Sequence, residues 1–105
     1  MPMQITHWHR KDAADRNDLA FAGLQVCRVW RGRDGVQSSR LFWDDWNSLV
    51  ILTEASPEAF NIGPTPDPEM AKATIALSDL ADRTATYTMA EAKLGHDAYK
   101  AGTGS

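Results

Sequence analysis

The stretch "VQSSRLFWDDWNSLVILTEA", Val36 to Ala55, decides how the chain is read. Two runs of strand-favouring residues, "VQSSRLFW" and "SLVILTEA", flank "DDWN", whose Asp and Asn side chains bond neighbouring backbone and tolerate turn conformations. The pattern predicts a β-hairpin. In its first strand Leu41 and Trp43 share a face, with Phe42 on the other. In its second, Leu49, Ile51 and Thr53 alternate with Val50 and Leu52. Both faces of that second strand are largely apolar, which predicts a place inside a sheet covered on both sides. Turn chemistry accounts for Asp44 and Asp45; a general base or a metal pair is the alternative.

Working outward toward the N-terminus, "MQITHWHR" (Met3 to Arg10) favours a strand through Ile5, Thr6 and Trp8. "KDAADRNDLAFAGLQVCRVWRGRDG" follows (Lys11 to Gly35). Leu19, Ala22, Val26, Val29 and Trp30 recur at helical spacing. Asp12, Asp15 and Asp18 come early and Arg28, Arg31 and Arg33 late, the order that suits the helix dipole. Gly32 and Gly35 stop the helix. Gly23 leaves a second reading open, in which the run from Leu24 is a strand after a shorter helix.

Toward the C-terminus, Ser56 and Pro57 open a helical turn, and Asp67 and Pro68 repeat that signal after the proline-rich "NIGPTPDPEM". Met70, Ala73, Leu77 and Leu80 form an apolar stripe. Two readings of the remainder stand. Either a helix Pro68–Asp82 precedes a strand Thr84–Ala92, or a strand Lys72–Leu77 precedes a helix Ser78–Lys100. The terminal "AEAKLGHDAYKAG" has helical character.

A chain of 105 residues allows one domain with a modest core, which pairing with a second copy would help. Residues 1–100 are expected to form it, with 101–105 a flexible tail. The net charge of -3 speaks against a nucleic-acid partner. With Cys27 the only cysteine, no internal disulfide can form and a reducing, cytoplasmic setting is expected. No apolar run approaches the ~20 residues of a membrane helix. The N-terminus lacks the charged-then-apolar order of a signal peptide.

The run "DGVQSSRLFWDDWNSLVILTEASPEAF", Asp34 to Phe60, resembles the middle of the dimeric α+β barrel proteins. A loop glycine precedes a strand, an acidic turn and a second apolar strand. An acidic residue, Glu54, then precedes a helix start at Ser56, Glu58 and Ala59. The resemblance implies an α+β fold with a ferredoxin-like β-α-β-β-α-β order: an antiparallel sheet with helices on one face, two copies of which pack into a barrel. It also implies a pocket between sheet and helices. Such proteins include cofactor-independent monooxygenases, haem-degrading enzymes, isomerases and polyketide cyclases.

Candidate chemistry starts with His7 and His9, which share one face of a strand with Trp8 opposite. They could shuttle protons, ligate haem or bind a metal given a third ligand, or they could sit near solvent at a strand end. Glu91 falls on the apolar stripe of the long-helix reading, where burial would raise its pKa and suit it to acid–base work. Trp30, Trp43 and Tyr87 are candidate walls of a pocket for a flat apolar ligand; core and dimer interface is the plainer use of such rings. Trp46 is expected to cover a neighbouring helix or a partner. Glycine-rich phosphate loops, CxxC pairs, GxSxG and HExxH are all absent from the sequence. Cys27 is expected to be buried rather than nucleophilic.

The expectation is therefore a homodimeric enzyme without an organic cofactor, haem being the one cofactor the histidines could hold. It would perform monooxygenation or proton transfer on a hydrophobic, aromatic small molecule. His7, His9 and Glu91 would act in catalysis, and Trp30, Trp43 and Tyr87 in binding. A non-catalytic small-molecule or haem-binding protein and a structural dimer module are the rival expectations.

Overall fold

A computed structural model describes residues 2–60 and 67–90 of the chain. The elements run β1 (Met3–Arg10), α1 (Arg16–Arg31), β2 (Val36–Asp45), β3 (Ser48–Ala55), α2 (Pro57–Phe60), α3 (Pro68–Leu80) and β4 (Ala81–Met89). The four strands form one antiparallel sheet in the order β2-β3-β1-β4, and α1 and α3 lie on one of its faces. This is the ferredoxin-like α+β arrangement.

The hairpin forms as predicted, with a tighter turn. Asp44 and Asp45 belong to β2, and Trp46 and Asn47 alone make the bend. The Asp45 carboxylate accepts from the Asn47 backbone N–H at 2.8 Å, which is turn chemistry. That bond, more than any other interaction, pulls its carboxyl below the ordinary value.

Helix α1 starts within the acidic run, at Arg16. Asp15 is the N-cap, accepting from the Asn17 and Asp18 backbone N–H groups at 2.8 and 3.1 Å. Gly23 does not break it. A Cβ there would come within 2.8 Å of Leu41 Cδ1 and Leu49 Cδ2, so the glycine lets the helix approach the sheet closely. The strand reading from Leu24 gives way to that packing.

Helix α3 opens where "DPE" predicts, with the Asp67 carboxylate accepting from the Glu69 and Met70 N–H groups at 3.0 and 3.5 Å. Ala73 and Leu77 of its stripe are buried. The first of the two readings of the C-terminal part is the one that forms, with the strand set three residues earlier at Ala81. Pairing with β1, from Met3↔Met89 to Arg10↔Ala81, overrides a helical spacing that continued through Thr84 and Tyr87. The interrupted helix removes the register that singled out Glu91. Glu91 itself, His96, most of the helix-like terminal run, the expected tail and proline-rich residues 61–66 lie outside the described residues.

The core lies between sheet and helices: Trp8, Leu19, Val26, Trp30, Leu49, Ile51 and Leu77, with the fully buried Cys27. Burial pushes the Cys27 thiol above its ordinary pKa, which disfavours the nucleophilic thiolate. Two polar side chains in this layer, Ser39 and Thr53, satisfy each other at 2.9 Å. β3 is an interior strand as predicted, yet among the described residues helices cover only one of its faces.

Candidate functional site

A cavity of about 190 Å³ opens between the sheet and the helices. Every second residue of β1 points into this layer, so Gln4, Thr6 and Trp8 form its floor with Ile51 of β3. Val26 and Trp30 of α1, Phe60 of α2, and Met70 and Thr74 of α3 form the opposite walls, and Arg83 of β4 closes one side. Trp30 and Phe60 meet edge to face, with centroids 5.6 Å apart and planes at 64°. The Trp8 indole N–H donates to Thr6 Oγ1 at 2.9 Å, which locks that ring. The Arg83 guanidinium lies over the Trp8 ring at 6.0 Å.

One edge of the cavity is braced electrostatically. Arg33 lies 5.1 Å over the Trp30 ring and donates through Nη2 to Asp67 Oδ2 at 2.6 Å, tying the end of α1 to the start of α3. That hydrogen bond is the main reason the Asp67 carboxyl sits below its ordinary pKa. Arg33, one of the three arginines whose late position suits the helix dipole, is thus half-buried and paired.

The six residues singled out from the sequence do not converge on one place. Trp30 lines the cavity. His7 and Tyr87 lie together on the opposite face of the sheet, edge to face at 5.9 Å, and His9 follows on that face, exposed. Trp43 is at the hairpin end, where the Arg16 guanidinium is stacked between it and Trp46 at 4.0 and 3.7 Å. Arg16 Nε also donates to the Trp46 carbonyl at 3.0 Å, so Trp46 covers the start of α1, one of the two places expected for it. Glu91 is outside the described residues. Among those described, no group of three His, Cys, Asp or Glu side chains is placed to hold a metal ion.

Sequence reasoning passed over Trp8, Phe60, Thr6 and Arg83. The available signal was the alternation in β1, which set Trp8 opposite the two histidines. It could not say which set faces the helices. Two further hollows are surface grooves. One of about 370 Å³ runs along α1 and α3 beside Gln25, Lys72 and Ala76, and one of about 310 Å³ lies between α1 and the β2 edge beside Leu24 and Phe42. The first is lined by helices alone and the second holds one aromatic ring, Phe42, where the interlayer cavity holds three.

With this geometry described, known structures provide the comparison. No family model and no curated protein matches the sequence. Solved structures do. Rv0793 from Mycobacterium tuberculosis superimposes with a TM-score of 0.68 at 21% identity, covering 86% of this chain and 94% of that one. SnoaB, a cofactor-independent oxygenase from Streptomyces nogalater, gives 0.71 at 13% identity, with 85% and 90% covered. A Nitrosomonas europaea protein, provisionally named an antibiotic biosynthesis monooxygenase, gives 0.71 at 10% identity, with 88% and 99% covered. The chain has the fold of the dimeric α+β barrel proteins. At these identities the likeness is one of architecture, and function must be argued from the site.

Proposed function

We propose that the chain is a cytoplasmic, homodimeric enzyme that oxygenates a one- or two-ring aromatic compound without an organic cofactor, in the cavity between sheet and helices. The carrying observation is the aromatic lining, with Trp8, Trp30 and Phe60 around one partly open cavity. Such walls stack flat apolar ligands and exclude water. A volume of about 190 Å³ lies below the ~300–1,000 Å³ of drug-sized sites, which limits the ligand to one or two rings. The described lining contains no carboxylate, imidazole or thiol. The protein's part is therefore binding, orientation and desolvation, and the substrate supplies the electrons. An aromatic C–H para to a hydroxyl becomes a ring carbonyl and the hydroxyl becomes a second one. One atom of O₂ enters the ring and the other leaves as water. The likeness to SnoaB, a cofactor-independent oxygenase, supports this reading through the fold.

The test uses 1,5-dihydroxynaphthalene in air and darkness. Expected are quenching of tryptophan fluorescence on binding, uptake of one O₂ per molecule, and growth of the quinone absorbance. Phe60→Leu, which keeps the apolar volume but removes an aromatic edge, should weaken binding several-fold. Unchanged fluorescence together with oxygen uptake no faster than in buffer would sink the proposal. Binding with the naphthalene recovered intact would leave a binding protein.

A second reading keeps proton transfer with His7 or His9 and ligand contact with Tyr87. The edge-on His7–Tyr87 contact on the open face favours it. A second copy over that face would enclose the pair. Replacing His7 and His9 together with alanine separates the readings: unchanged turnover leaves the chemistry on the helix side, and lost turnover moves it to the open face. The same variant tests haem ligation, since a Soret band on adding haemin would vanish with the imidazoles.

A further inference from the structure

Resting on the aromatic-cavity reading, we infer that the ligand carries an ionised oxygen on its ring, a carboxylate or a phenolate, and that Arg83 recognises it. A β-bulge puts Arg83 in position. β1 and β4 pair regularly from Met3↔Met89 to His7↔Ala85, but the next pair is Trp8↔Arg83, so Thr84 is the extra residue. Side chains alternate along a strand. Without the extra residue Trp8 would oppose Thr84, and Arg83 would fall beside His9 on the open face. With it, Arg83 shares the face of Trp8 and lines the cavity. The Thr84 hydroxyl donates to the His7 carbonyl at 3.3 Å, bracing the irregularity. Bulges re-aim side chains in this way beside functional sites.

The polar groups that line the cavity with Arg83 can donate hydrogen bonds. A threonine hydroxyl has one hydrogen and two lone pairs. Thr6 Oγ1 spends a lone pair on the Trp8 indole N–H, so its hydrogen remains available to the cavity. Gln4, two residues along the same face, adds a carboxamide. Trp30, Val26 and Phe60 make the opposite side apolar. The cavity thus has an aromatic side and a donor side. Its one described charge is a guanidinium, which is always protonated and bonds anionic oxygens about twice as strongly as neutral ones. A flat ring with an anionic oxygen on one edge matches both sides.

The experiment compares 1-naphthoate with 1-naphthamide, its uncharged near-isostere, by tryptophan fluorescence. The wild-type protein should bind naphthoate about tenfold more tightly. Arg83 is exposed, so Arg83→Gln leaves the core intact, which an unchanged melting temperature would verify. In that variant naphthoate should fall to the affinity of naphthamide, whose own binding stays as in the wild type. Equal wild-type affinities, or a naphthoate preference that survives Arg83→Gln, overturn the inference while leaving the aromatic cavity standing. Binding of neither probe removes the cavity reading and this inference with it. Titrating bound 1-naphthol by absorbance distinguishes the two anions. Ionisation at lower pH than in free solution, lost in Arg83→Gln, assigns a phenolate. An unshifted titration with the naphthoate preference intact assigns a carboxylate.

Discussion

The two faces of the sheet carry similar side chains and have different surroundings. In β3, Leu49 and Ile51 are buried beneath α1 and α3, while Val50 and Leu52, which alternate with them, stay half-buried. In β1, Trp8 is buried, whereas Ile5 and His7 on the other side are not. Phe42 and Tyr87, 44% and 55% exposed, extend that open side across β2 and β4. Nothing in the side chains themselves separates the two sets. Among the described residues a helix layer lies over one and not over the other, so burial here is a property of packing rather than of residue type. The candidate chemistry divides the same way. The aromatic cavity and Arg83 belong to the helix side, and the imidazoles belong to the open side. In the proposed homodimer a second copy would cover this face.

The comparison is most sharply tested by leucine truncations on the two faces. Leu77→Ala removes a fully buried side chain from the helix side and should cost about 2–5 kcal/mol in urea unfolding, at any protein concentration. Leu52→Ala acts on the open face and should lower the melting temperature more in dilute than in concentrated protein, because its effect is on assembly. A Leu52→Ala effect independent of concentration would mean that water, not a second copy, covers that face. Gly23→Ala comes next. Its added methyl would meet two leucines on the helix side and should cost about 1–3 kcal/mol, since the leucines must shift. A neutral result would show that the helix layer is more loosely seated than the described packing.

The smallest effect concerns pH. The Arg33–Asp67 bond holds the Asp67 carboxyl below its ordinary pKa, so the folded state favours the ionised form. Its stabilisation is present above the unfolded-state carboxylate pKa, near 3.9, and is lost as pH falls through the depressed folded value. Asp67→Asn retains a good N-cap residue but removes the charge, so it should lower the neutral plateau of melting temperature slightly and converge with the wild type at low pH, which flattens the acid limb. An acid limb identical to the wild type's would show that the bond adds nothing to stability.

Residues near one another in the chain made much of this architecture legible. The hairpin could be read from "DDWN" between two apolar runs, and the starts of α2 and α3 from Ser-Pro and Asp-Pro. The end of α1 was marked by arginines followed by glycine. Turn and cap interactions join residues two to four apart, so the sequence carries them directly. Tertiary structure alone decided the rest. It chose which face of β1 turns inward, ended α3 at Leu80 in favour of pairing with β1, and placed the extra residue Thr84 that aims Arg83 at the cavity. Each of those outcomes depends on strands and helices distant in sequence competing for the same backbone and the same apolar surface. A two-residue alternation cannot express that competition, because it reads identically from either side of the sheet.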